Sequence, residues 1–322
     1  MVWRGDACYT RTMHDTDRNE STAGPALASG RPVIIGEVLF DCFDDGREVL
    51  GGAPFNVAWH LQAFGAKPLL ISRIGQDPHG DQILAAMQSW GMDCSGMQRD
   101  SDHPTGMVSI TMQGQQHRFS ILADQAYDYI DPAAALALPS LAQAALWYSG
   151  SLIERAPQSR ATVVALRKLP CPHFMDVNLR EPWWEQAQVH AMLKGLRWAK
   201  LNEDELRQLG FAGDSEIAAR AMRQHFGIEL LILTLGEAGA LLITEDELLR
   251  GKPVPLSQLV DTVGAGDAFS AVMLLGILRN WPMAQSLQRA LAFAAAQCEV
   301  QGAIRAERAV YAQFLSQWES VE

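Results

Sequence analysis

The chain has 322 residues, of which 48% are hydrophobic and 20% charged, ordinary composition for a globular protein that buries a sizeable core. A formal net charge of −11 with a pI near 5.2 excludes a basic surface for nucleic acid or an anionic membrane, while a nucleotide can still be held locally by backbone amides. Five scattered cysteines (Cys8, Cys42, Cys94, Cys171, Cys298) with no C-x-x-C pair speak against disulfides or zinc, and no apolar stretch reaches transmembrane length; the expected location is the cytoplasm.

Residues 1–31 are polar, lack the apolar core of a secretory signal, and are expected to be a disordered leader. Val33 to Asp41 reads as a buried first strand ending at a carboxylate. Gly51 and Gly52 open a turn, and Val57, Leu61 and Phe64 mark a helix stopped by Gly65. Leu69–Ile74 is a second buried strand, followed by a helix from about 80 to 91. From Thr105 to Ile121, apolar and polar residues alternate around Gly114, which predicts a hairpin with one wet face. Such a hairpin in an α/β chain implies a small sheet standing off the main body.

Beyond Ala145, short apolar runs at 146–150, 173–177, 198–201 and 230–234 alternate with helical stretches near 157–169, 203–209 and 214–226. That alternation predicts a mostly parallel sheet covered by helices on both faces. Two long apolar helices follow, from Ala265 and from Met283. Ligands of such sheets bind beyond the carboxyl ends of the strands. Attention therefore falls on Asp41, 176–180, 202–205, 234–239 and 261–267.

In Asp261-Thr-Val-Gly264-Ala265-Gly266-Asp267, paired glycines precede an apolar helix. They allow successive amides to converge at the positive end of the helix dipole, forming an anion hole. A carboxylate there suits a base that takes a proton from an incoming hydroxyl; on spacing alone, Asp267 is equally a helix cap. Gly51-Gly52-Ala-Pro-Phe-Asn56 lets backbone approach a polyol, with Asn56 and Asp41 offering hydroxyl partners. A glycine turn with an asparagine cap is the plainer reading. The first strand lacks a following G-x-G-x-x-G, and no Walker-type G-x-x-x-x-G-K-[ST] is present.

DTVGAGDAF resembles the carboxy-terminal signature of the ribokinase or phosphofructokinase-B (PfkB) family of carbohydrate kinases, and GGAPFNVA resembles the amino-terminal signature in its fructokinase form. The resemblance covers the chain from about residue 32 to its end and implies a ribokinase-like α/β kinase domain over 32–322. Its small β-sheet lid would use strands near 39–50 and 104–121. It implies Asp267 as general base, with Gly264, Ala265 and Gly266 as anion hole. Sugar contacts would come from Asp41, Gly51, Gly52 and Asn56, and a monovalent cation, K⁺, would sit near Asp261 and Gly302-Ala303.

Three shorter stretches fit the same family. Asn202-Glu-Asp-Glu205 resembles its N-x-x-E motif, which helps organise Mg²⁺ and the nucleotide phosphates, with Glu205 acting through water; an acidic helix start explains it as well. Thr234-Leu-Gly236-Glu-Ala-Gly239 resembles the T-x-G-x-x-G segment at the phosphates of ATP, or a tight turn. Asp176-Val-Asn178-Leu-Arg180 resembles a stretch of fructokinases and 2-keto-3-deoxygluconate kinases, placing Asp176 and Arg180 near the substrate; a structural ion pair is the rival reading for Arg180. Arg118 and Asp124–Tyr127 are further sugar-contact candidates, and Phe55 would reshape the sugar pocket. Trp147, Trp183 and Trp184 read as core or lid packing. The implied protein is an ATP-dependent sugar kinase, a fructokinase first and a 2-keto-3-deoxygluconate kinase or other sugar or nucleoside kinase second, dimerising through its lid. A sugar or nucleotide sensor on the same fold is the rival from another class.

Overall fold

The computed structural model describes residues 30–113 and 116–319, and the side chains of 112–119 are not described. The expected leader therefore lies outside the described residues, except that the first strand already begins at Arg31. In the first half the chain forms β1 (Arg31–Ile35), β2 (Leu39–Phe43), β3 (Glu48–Gly51), α1 (Ala53–Ala63), β4 (Leu69–Gly75), α2 (Pro78–Trp90), β5 (Met97–Asp100), β6 (Gly106–Gln113) and β7 (Gln116–Ile121). Then come α3 (Pro132–Leu136), β8 (Ala144–Ser149), α4 (Pro157–Leu166), β9 (His173–Asp176), α5 (Gln186–Leu193), β10 (Trp198–Asn202), α6 (Glu203–Gln208) and α7 (Ser215–Phe226). The last third holds β11 (Leu230–Thr234), β12 (Ala240–Ile243), β13 (Leu248–Gly251), α8 (Ala265–Leu278), α9 (Met283–Cys298) and α10 (Arg308–Glu319).

A nine-stranded sheet runs β13-β12-β11-β10-β9-β8-β1-β4-β5. Strands β5, β4, β1 and β8 to β11 pair in parallel, and β12 and β13 add an antiparallel edge. Successive side chains of each strand enter opposite layers, as the strand period of two requires. Ile34, Leu70, Tyr148 and Ile232 pack under α1, α8 and α9. Their neighbours Val33, Ile71 and Trp147 face α4, while Ala199, Leu231 and Leu233 face α7. Both faces of the sheet are covered, so its strands read as near-continuous apolar runs.

A second sheet has the order β3-β2-β6-β7. The expected single strand from Val33 to Asp41 is thus two: β1 ends at Ile35 and β2, in the other sheet, begins at Leu39. Hydropathy did not show the break because Gly36-Glu37-Val38 between them is itself fully buried. Asp41 consequently stands in the smaller sheet, reaching across to the larger one. Among the described residues, no helix is long and apolar enough to cross a membrane.

Candidate active site

A cavity of about 530 Å³ opens where the two sheets meet, at the carboxyl ends of β9, β10 and β11. Glu37, Asp41, Gly52 and Asn56 line one half; Lys200, Asn202, Glu205 and Thr234 line the other; Gly264, Gly266 and Asp267 lie between them. A larger groove of about 730 Å³ lies elsewhere, but its Arg31 and Arg279 are occupied by Asp93 and by main-chain carbonyls.

Helices α1 and α8 both aim their amino termini into the cavity, and both start without a side-chain cap. Their N-cap residues are glycines in positive-φ conformations, Gly52 at 107° and Gly264 at 78°. A Cβ on Gly264 would lie 2.4 Å from Ala303 Cα, and one on Gly52 would lie 2.7 Å from the Glu37 carbonyl oxygen. Conformation and space both demand glycine there. Ala265 N turns back to the Thr262 carbonyl at 3.3 Å and Pro54 has no N–H; the remaining first-turn amides are left for a ligand, at the positive end of each dipole. Asn56 on α1 and Asp267 on α8 meet: Asn56 Nδ2 donates to Asp267 Oδ2 at 2.8 Å. Asn56 Oδ1 is buried without a partner. It lies 4.0 Å, and Asp41 Oδ2 3.7 Å, from where a Gly51 side chain would begin.

Burial pushes the Asp267 carboxyl up to about 6, a rise that Asn56 opposes by hydrogen bonding and that Asp176 reinforces by its charge. Asp41 is likewise pushed up to about 6 by burial, against the pull of Arg180. Arg180 itself is exposed at the rim, donates to the Leu179 carbonyl, and makes no ion pair among the described residues.

The other half is internally satisfied. Asp176 is 2% exposed, and its Oδ2 accepts from Lys200 Nζ at 2.7 Å and from Ser270 Oγ at 2.8 Å. Burial alone would lower the Lys200 ammonium, but Asp176 overrides it and holds Lys200 above its ordinary value. A Cβ on Gly266 would lie 3.3 Å from Lys200 Nζ, so a buried cation sits against the glycine loop. Glu205 Oε2 accepts from Asn202 N and Oε1 from Leu179 N, while Asn202 Oδ1 accepts from Glu205 N. The N-x-x-E stretch is therefore a capping box. Burial raises the Glu205 carboxyl. Thr234 reaches the cavity, whereas Gly236 and Gly239 form the tight turn beyond β11 and do not line it.

Behind the glycine loop, Asp261 Oδ1 accepts from Val263 N and Oδ2 from Gly302 N, each at 3.0 Å. The expected neighbourhood of Asp261 and Gly302-Ala303 is present, with the carboxylate tying two loops together. His60 Nε2 donates to the Ala303 carbonyl at 3.1 Å and Nδ1 accepts from Tyr311 Oη at 2.9 Å, the only tautomer a carbonyl acceptor allows. Burial lowers the His60 imidazole to about 3, so the bridge is neutral.

Some expectations fall elsewhere. Phe55 does not line the cavity: it is fully buried and packs on Trp59, because adjacent residues of a helix point about 100° apart. Arg118 is in β7, but its side chain lies outside the described residues. Asp124 is exposed, accepting from Tyr129 Oη, and Tyr127 is core. Trp147 stacks on His173 at 3.4 Å between ring centroids, and Trp183 lies against Arg155; both are packing residues. Glu37 and Lys200 were missed. Each is a lone charge inside an apolar run, Ile35-Gly-Glu-Val38 and Trp198-Ala-Lys-Leu201. Such a charge is buried only with a partner or a task, which is the signal that could have found them.

The model of the pfkB family of carbohydrate kinases matches residues 43–309. The chain belongs to that family. This carbohydrate kinase is 29% identical to a fructokinase of Salmonella typhimurium over 261 residues, 77% of this chain and 84% of that one. It superposes with a TM-score of 0.73 on an uncharacterized sugar kinase from Pyrococcus horikoshii in complex with ATP, 27% identical and covering 84% and 93% of the two chains. Vibrio cholerae fructokinase in its fructose, ADP and calcium form shares the fold at a TM-score of 0.78 and 24% identity, covering 89% and 99%. The large mixed sheet with its separate smaller sheet is thus the ribokinase-like arrangement, and the enzyme is a sugar kinase.

Proposed function

We propose that this kinase transfers the γ-phosphoryl group of ATP to a primary hydroxyl of fructose, giving fructose 6-phosphate. The observation that carries the reading is the 2.8 Å hydrogen bond from Asn56 to Asp267. It puts the carboxylate that ends the glycine loop against the glycine-started helix of the acceptor half. In the reaction Asp267 removes the hydroxyl proton as the oxygen attacks the γ-phosphorus and the bond to ADP breaks. Asn56, with Oδ1 free to accept, and Asp41 hold neighbouring hydroxyls, and the bare backbone of Gly51 and Gly52 makes room for the ring. The amides of Gly264 and Gly266, and that of Ala265 once it leaves the Thr262 carbonyl, receive the developing charge, with Lys200 behind them and Arg180 at the rim.

Among the described residues no group of three metal-ligating side chains occurs, which fits an ion carried on nucleotide phosphates rather than held in a protein cage. Magnesium would neutralise those phosphates, with Glu205 reaching it only through water, since both carboxylate oxygens accept main-chain amides. Asn202 and Thr234 belong to the nucleotide half. K⁺ near Asp261 would reinforce the loop that Asp261 already braces. The smaller sheet is proposed as the lid that excludes water as the sugar is enclosed, and as the contact of a homodimer; the cytoplasm, with its ATP, is the proposed location.

The test is ATP turnover across fructose, 2-keto-3-deoxygluconate, ribose and adenosine. The expected outcome is the highest kcat/KM with fructose; a preference for 2-keto-3-deoxygluconate, the second reading because of Asp176–Arg180, would overturn it. No turnover with any acceptor would favour a sensor.

A further inference from the structure

Glu37 lies on the three-residue link between β1 and β2, where the chain leaves the large sheet for the small one. Its side chain lines the acceptor half of the cavity, yet the residue is 4% exposed and Oε2 is buried without a partner. The phenols nearby do not serve it, for Tyr127 Oη and Tyr148 Oη are buried and unpartnered too. Arg155 makes no hydrogen bond to it either: Nε and Nη2 go to Asp128 at 2.7 Å, and Nη1 is buried without a partner. A buried carboxyl oxygen with no partner costs free energy unless a ligand satisfies it. Desolvation accordingly pushes this carboxyl up to about 7, against the pull of Arg180 and Arg155 and with the added repulsion of Asp267.

The two unpartnered acceptors of this half, Glu37 Oε2 and Asn56 Oδ1, ask for donors, and a polyol brings hydroxyl hydrogens. An acceptor bearing a carboxylate or phosphate brings instead more negative charge into a space already walled by Glu37, Asp41 and Asp267. The cations on offer are Arg180 at the rim, Lys200, which is engaged by Asp176, and Arg155, which is paired with Asp128. We propose that Glu37 is an acceptor-recognition residue: its carboxyl takes a hydroxyl of the sugar, and the acidic wall it forms with Asp41 and Asp267 makes the site select neutral polyols over acidic or phosphorylated sugars. This deepens the reading of the cavity as a sugar-kinase site and rests on it.

The experiment compares wild-type enzyme with Glu37→Gln and Glu37→Asp on fructose, ribose, 2-keto-3-deoxygluconate and fructose 6-phosphate, with thermal melting of each variant as the folding control. For Glu37→Gln the expected result is a KM for the neutral sugar raised about ten- to a hundredfold, with the KM for ATP within about twofold of wild type. The preference for neutral over anionic acceptors should shrink as well. Wild-type enzyme should also be inhibited by a neutral non-reacting sugar analogue at far lower concentration than by its carboxylate counterpart, a comparison that needs no variant. An unchanged sugar KM in a folded Glu37→Gln protein, or a wild-type preference for an anionic acceptor, overturns the proposal. Should wild type turn over none of the acceptors, the kinase reading fails separately. Calorimetric binding of the same sugars to wild type and Glu37→Gln then decides Glu37, with absence of a difference overturning it.

Discussion

The two halves of the cavity handle their charges in opposite ways. On the proposed nucleotide side, Asp176 is bound by Lys200 and Ser270, both oxygens of Glu205 accept main-chain amides, and Asp261 braces two loops. On the acceptor side, Glu37 Oε2 and Asn56 Oδ1 have no partner, and burial lifts the carboxyls of Glu37, Asp41 and Asp267. A half whose side chains are satisfied offers its ligand backbone amides and a fixed cation, which suits phosphates common to any nucleotide. A half left unsatisfied binds only what completes it. Selectivity among substrates is therefore expected from the acceptor side.

Replacing Asp267, the proposed base, is the severest test of that contrast. Asp267→Asn should lower kcat by about 10² to 10⁴-fold, the usual worth of a general base, measured by steady-state ADP release. Turnover near the wild-type rate would remove Asp267 from the mechanism. The same variant should melt higher than wild type at pH 8. Asp267 has its folded value raised from 3.8 to about 6, so folding takes up a proton between those values, and the stability it contributes is lost as pH rises through about 6. At about pH 3, below the unfolded value, the difference should have vanished.

The mirror experiment is Asp176→Asn. It leaves the buried Lys200 ammonium without its counter-charge and should cost about 3–5 kcal/mol of stability in urea unfolding. If it melts like wild type, the nucleotide side is not internally satisfied as described. Next in size is the pH dependence: kcat/KM for the sugar should fall about tenfold per pH unit below about 6, as the carboxyl of Asp267 takes a proton and can no longer accept one from substrate. A flat profile down to pH 5 would contradict a base with that titration. Smallest is Gly51→Ala. Gly51 does not need a positive φ, and its new methyl would make ordinary contacts at 3.7–4.0 Å, between Asp41 and Asn56 where the ring is proposed to sit. The protein should fold normally, with the sugar KM up about three- to tenfold and the ATP KM unchanged.

What the sequence made legible was whatever is local. The glycine starts of α1 and α8, the βα alternation and the hairpin are each written within a few neighbouring residues. Asp267, Asn56 and Asp41 were recoverable because glycines flank or follow them. Glu37 and Lys200 were not, because their meaning depends on segments far off in the chain: Lys200 on Asp176 and Gly266, and Glu37 on the absence of any partner. The same nonlocality hid the passage from β1 to β2, where a continuous apolar run crosses from one sheet to another. The antiparallel strands β12 and β13 also went unread, since Ala240–Ile243 carries no alternation that separates it from a parallel strand.

The brace behind Gly264 has a consequence for biosynthesis. Asp261 needs Gly302, Gly264 rests against Ala303, and Ala303 is pinned by His60, which in turn needs Tyr311. A nascent chain that has emerged only as far as α8 already contains Glu37, Asp41, Asn56 and Asp267. It still lacks the segment against which the phosphoryl-binding loop is moulded. Helix α1, with Asn56, leans on that segment too, through His60 and the Trp59 indole on the Arg305 carbonyl, so neither half of the cavity is complete until the end of the chain has emerged.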